Sequence, residues 1–96
     1  MSKNIIDKLK DLKLKERERL IESIAEFNPE ALLANGLEDA IVGYDTKGRV
    51  IYSVGSIIDI LVERDGMSYE EASEHFSFNI ECAYSGEHTP IYMYEE

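Results

Sequence analysis

Ninety-six residues, 44% of them hydrophobic, suffice for one small domain, and no stretch approaches the ~18 apolar residues of a membrane-spanning helix. The formal net charge of -10 is unevenly divided: residues 1–19 hold seven Lys/Arg against four Asp/Glu, a net of +3, and residues 20–96 hold three against sixteen, a net of -13. Nucleic-acid affinity comes mostly from Lys and Arg displacing condensed counterions, so direct DNA or RNA binding by this acidic body is not expected. An acidic body either keeps the chain soluble or docks on a basic partner.

The organisation expected is a single domain over 1–96, with a basic helical extension at 1–19 and an acidic α+β body at 20–96. The basic start keeps inserting charge where a secretory signal needs an unbroken apolar stretch, which predicts a cytoplasmic protein with no membrane association. A lone Cys82 cannot close an internal disulfide, in agreement with a reducing compartment.

Residues 4–27 are predicted helical, with Ile5, Leu9 and Leu12 on one face and Leu20, Ile24 and Phe27 returning near it. In KLKERER (13–19) the apolar stripe is lost, so the helix is expected to dock by its second half. Its first half reads as a solvated basic face, with a membrane-surface or partner helix as the alternative. NPEALLANG (28–36) carries the punctuation of a short helix: Asn28 as N-cap, Pro29 at the first helical position and Gly36 beyond the end. Leu32, Leu33 and Leu37 would be its share of the core.

Two alternating runs, 41–44 and 49–52, flank Asp45-Thr46-Lys47-Gly48 and predict a β-hairpin. Val54, Ile57, Ile58, Leu61 and Val62 then follow the spacing of a helix facing a core, capped by Ser53 or Ser56 and ended by Gly66. SYEE (68–71) is a capping box opening a last helix that should run to about Tyr84. Thr89-Pro90 forces an extended entry to a short strand at 91–94. The order α-α-β-β-α-α-β predicts an α+β fold: a three-stranded antiparallel sheet with helices on one face, the last strand beside the first.

On a helical wheel Tyr69, Ala72, Ile80, Ala83 and Tyr84 gather around Phe76 as the core face, and Glu70, Glu74 and Glu81 lie opposite. His75, Asn79 and Cys82 line one flank, beside Glu71. A metal site is disfavoured there, because a structural zinc wants four ligands and Glu71 belongs to the capping box. Thiol catalysis is disfavoured as well, since four glutamates on the same helix oppose a lowered thiol pKa. His88 reads as a polar turn residue. No catalytic residue, metal or cofactor is expected.

Phe78 is the misplaced residue, an aromatic among glutamates. Its cover is predicted to be the N-terminal helix or a loop, with another protein, a second copy first, as the alternative. The candidate partner-binding residues are Phe78, Glu74, Glu81, Leu14 and Arg17. A rival reading places a small ligand or nucleotide between the sheet tyrosines and the last helix, at Tyr44, Tyr92, Tyr94 and His75. A third makes the anionic body a nucleic-acid mimic that inhibits a host defence protein.

GLEDAIVGY (36–44) and RDGMSYEEASEHFSFNIECAYSGEHTPIY (64–92) resemble a widespread family of small uncharacterised proteins encoded by phages, prophages and bacteria. In that family a Gly-[Leu/Phe]-Glu-Asp-Ala start, an Asp-Gly-Met-Ser-Tyr-Glu-Glu-Ala helix start and a Gly-Glu-x-Thr-Pro ending recur. The resemblance covers roughly residues 28–93 and assigns no role to Cys82 or His75. The resemblance is silent on activity and implies only a phage, prophage or bacterial origin. The lack of a convincing catalytic constellation, the acidic body, the misplaced Phe78 and the interrupted first helix together predict a non-enzymatic accessory protein of a phage or mobile element that binds another protein or a second copy of itself in the bacterial cytoplasm.

Overall fold

The computed structural model describes residues 5–83 and 86–95, with the side chains of residues 6–11 and 13 left aside. Helix α1, Ile5–Phe27, buries Ile24 and rests Leu20 and Ile21 on the core, while Ile5, Leu12 and Leu14 stand exposed. It docks by its second half, as the interrupted stripe predicts. Phe27 departs from the expected core face: it is exposed at the helix end and packs on Tyr44, ring centroids 5.5 Å apart.

The helix expected after Pro29 does not form. Asn28 does turn the chain, its Oδ1 accepting the Glu30 N–H at 3.1 Å and its carbonyl the Ala31 N–H at 3.1 Å. The Ala34 N–H then donates to the Tyr52 hydroxyl at 2.7 Å instead of to a helical carbonyl. A helix of under two turns returns little for its costly nucleus, and a buried tyrosine hydroxyl needs a partner. The segment is therefore drawn out along the body. Leu37 is buried as expected, but Leu32 and Leu33 lie at the surface, 37% and 39% exposed.

A 3₁₀ turn, Glu38–Ala40, leads into β1, Ile41–Tyr44, and the hairpin returns as β2, Val50–Ser53. The Asp45 carboxylate organises the turn. Its Oδ1 accepts the backbone N–H groups of Arg49 at 2.8 Å and Lys47 at 2.9 Å, and its Oδ2 accepts from Arg49 Nε at 2.8 Å. Those bonds, the Arg49 backbone one foremost, hold its pKa below the usual carboxylate value.

Helix α2, Val54–Asp65, starts directly from β2: Ser53 Oγ accepts the Ser56 N–H at 3.2 Å, and Gly66 ends the helix in the left-handed conformation. Val54, Ile57, Ile58 and Leu61 are buried. Helix α3, Tyr69–His75, opens with the predicted capping box between Ser68 and Glu71. The chain then widens into a π-helix, Phe76–Glu81, in place of further α-helix, and the end expected near Tyr84 lies outside the described residues. Strand β3, Ile91–Met93, completes the sheet.

The α+β class is as expected, but the sheet is mixed, in the order β1-β2-β3. β1 and β2 are antiparallel, whereas β3 lies parallel to β2, with Tyr52 opposite Tyr92. The expectation of an antiparallel sheet with β3 beside β1 is thus corrected. Since β1 and β2 run oppositely, the choice of neighbour alone decides whether β3 pairs in parallel. Residues 54–90 supply the long helical crossover that parallel pairing requires. Aromatic packing explains the choice: the Tyr92 ring stacks on Tyr52 at 5.8 Å and meets Phe76 edge-on at 5.5 Å. On β1, the Arg17 guanidinium donates to the Ile41 carbonyl, and α1 packs against this strand.

Candidate functional site

Two depressions open on either side of one side-chain pair. Asn79 Nδ2 lies 3.3 Å from His75 Nδ1, one turn apart on the helix. His75 and Asn79 both line a cleft of about 400 Å³ and a second depression of about 330 Å³.

The larger cleft is built by the failed helix. Leu32 and Leu33 form one wall, Leu61 and Arg64 of α2 another, Ile80 of the π-helix a third, and Pro90 and Tyr92 the last. Its volume falls in the ordinary range for small-ligand sites. Arg64 is tied down on both sides. Nη1 donates to the Gly36 carbonyl at 2.6 Å, and Nε and Nη2 hold the two Asp65 oxygens at 2.9 and 3.1 Å. Arg64 holds the Asp65 pKa below its usual value through those hydrogen bonds, which also raise the pKa of the guanidinium. A paired cation of this kind offers little net charge to an anionic ligand.

The smaller depression carries Met67, Glu71, Glu74 and Phe78. Phe76 and Phe78 divide sharply: the first is 1% exposed, the second 76%. The cover predicted for Phe78 from the N-terminal helix or a loop is absent among the described residues. Tyr69, expected on the core face, is 70% exposed on the same helical segment.

Of the proposed partner-binding residues, Phe78 and Glu74 come together, Glu81 is exposed on the π-helix, and Leu14 is exposed on α1. Arg17 is half-buried and turned toward the body, one of its guanidinium nitrogens donating to the Ile41 carbonyl. Of the alternative ligand set, His75 and Tyr92 share the cleft. Tyr44 packs instead on Phe27, and Tyr94 lies 72% exposed beyond β3, so neither lines it. Cys82 is exposed, and among the described residues no group of three or more His, Cys, Asp or Glu is placed to hold a metal ion.

One cluster has no counterpart in the sequence reading. The buried Asn28 directs Nδ2 to the Gly48 carbonyl at 3.3 Å and to His88 Nδ1 at 3.2 Å, and His88 Nε2 meets Glu30 Oε2 at 2.9 Å. It joins the end of α1, the hairpin turn and the approach to β3. Both nitrogens of His88 are engaged, so the ring acts as a structural tie. No local spacing announces it, since Asn28 and His88 are sixty residues apart.

Among the described residues no helix is long and apolar enough to cross a membrane. No family model, curated protein or solved structure matches the chain.

Proposed function

We propose that this is a non-enzymatic accessory protein of a phage or mobile element, which binds another protein through the outer surface of α3 and the π-helix. The mobile-element origin rests on the sequence resemblance alone. The binding role is carried by one observation: Phe78 stands 76% exposed on a segment whose opposite side supplies Phe76 to the core. Leaving a phenylalanine in water forfeits about 1.5–3 kcal/mol that burial would return. An aromatic anchor inside a polar rim is the usual composition of an interface centre.

The experiment is Phe78→Ser, compared with wild type by affinity capture from bacterial host lysate with mass spectrometry. A folded variant that loses the captured partner is expected, because a surface substitution costs the fold little. A folded variant with the same partners in the same amounts would refute the assignment.

A second reading is favoured by the 400 Å³ cleft, where His75 and Tyr92 meet. A small uncharged ligand fits its apolar walls and paired arginine. Thermal shift separates the two readings, since a ligand at 100 times its dissociation constant adds about 2.7 kcal/mol.

A further inference from the structure

Helix α1 presents two faces, and its own body uses one. With Ile24 at the origin and steps of about 100° per residue, Arg17, Leu20 and Ile21 fall within about 60° of it; these side chains meet the body. Ile5, Leu12, Lys15 and Arg19 fall on the opposite side, within about 80° of one another. All four are exposed, Leu12 at 56% and Ile5 at 76%. Up to Arg19 this outward face is apolar and basic, with Glu16 at its edge, and it turns acidic beyond, at Glu22 and Glu26. At 23 residues α1 is about 34 Å long, far longer than the part that packs on β1.

The α3 and π-helix surface has the complementary character. Phe78 and Met67 give it an apolar floor, the adjoining cleft gives it depth, and Glu71 and Glu74 line the depression, with Glu81 exposed on the same segment. The charges are opposite in sign over the chain as a whole, +3 over residues 1–19 against -13 over the remainder.

We infer that the occupant of this groove is α1 of a second copy, so that two chains pair reciprocally, each laying its Leu12 face over the partner's Phe78. The inference deepens the protein-binding reading above, on which it rests, by naming the partner. Leu12 and Ile5 cover Phe78, and Lys15 and Arg19 face Glu74 and Glu81. A helix laid by its apolar face into a groove is a common recognition mode, and a two-fold arrangement uses the junction twice. Ile5, Leu12 and Phe78, which a single chain leaves exposed, are covered in the pair.

The test is complementation between two full-length variants, read by sedimentation velocity with circular dichroism as the check on folding. One variant carries Leu12→Ser with Lys15→Glu and keeps its groove; the other carries Phe78→Ser and keeps its helix. Wild type is expected to dimerise, its dissociation constant rising about tenfold or more as added salt shortens the screening length. Each variant alone should be monomeric, because both junctions are damaged. An equimolar mixture should form a heterodimer, because one junction is then intact.

Where Phe78→Ser fails to fold, Glu74→Lys paired with the α1 variant serves instead. Wild type that stays monomeric at about 200 µM, which places any Kd well above that concentration, overturns the inference. So do variants that dimerise like wild type, and so does a mixture that stays monomeric. Loss of a different partner in the capture experiment, with a monomeric wild type, leaves the binding surface in place and removes only the second copy.

Discussion

Alanine at Gly48 and at Gly66 separates two reasons for a glycine that sequence cannot tell apart. Both have positive φ, 83° and 69°. A Cβ at Gly66 meets nothing within 4 Å, whereas one at Gly48 presses into Asn28 Cβ and lies 2.8 Å from Phe27 Cδ1. The left-handed backbone alone costs a non-glycine residue about 1–2 kcal/mol, partly offset by the stiffer unfolded chain. Gly66→Ala is therefore expected to destabilise by about 1 kcal/mol.

At Gly48 the overlap adds about 1–3 kcal/mol, since neither neighbour can withdraw freely. Asn28 is buried and bonded to the Gly48 carbonyl, and Phe27 is held against Tyr44. Gly48→Ala should thus cost about 3 kcal/mol in all. Urea unfolding of both variants at pH 7 measures the difference. For a domain of this size each kcal/mol also lowers Tm by about 4–8 °C. Equal losses at the two positions would refute the close approach of the hairpin turn to the end of α1.

Burial pushes Tyr52 up to about 12, so the folded state keeps a proton that the unfolded chain releases near pH 10. The associated stability is intact below pH 10 and falls as pH rises from 10 to 12, by up to about 3 kcal/mol. Urea midpoints measured across that window should show the fall. Tyr52→Phe should lose much of it, keeping a residue from Tyr92, whose pKa burial also raises. An unchanged alkaline limb in Tyr52→Phe would place its cause elsewhere. At the Asn28 junction, Asn28→Ala should cost about 2–3 kcal/mol and His88→Ala about 1 kcal/mol. Asn28 serves Gly48, Glu30 and His88 together, while the Glu30 end of the imidazole contact lies in solvent. Chemical denaturation reads both, and the reverse order would show that the imidazole is the organising group.

The elements most legible in the chain are those whose signals are local. The capping box at Ser68, the stop at Gly66, the turn led by Asp45 and the spacing from Val54 to Leu61 each satisfy their hydrogen bonds or bury their face within a few residues. Where a local preference competes with a distant partner, the reading fails. Asn28-Pro29 is a sound helix start, yet the Ala34 N–H is taken by a tyrosine in the central strand. The same competition built the cleft: Leu32 and Leu33 line it because the helix that would have turned them inward does not form. His88 looks like an idle turn residue until the fold brings Asn28 beside it. Phe78 was visible as an anomaly on the wheel, but its exposure depends on what the rest of the chain leaves uncovered.

By itself the amino-acid order determined the class of fold, the hairpin, the helix ends capped at Ser53, Gly66 and Ser68, and the separation of a basic start from an acidic body. Those features follow from backbone propensities, capping and charge, which act over a few residues or add along the chain. Only the tertiary structure decided that β3 pairs with β2, that residues 28–37 are drawn out as the wall of a cleft, and that Phe78 meets water. Each of those outcomes turns on packing between groups far apart in sequence, such as Tyr92 on Tyr52 and Phe76, and no local pattern encodes which distant surface a side chain will meet.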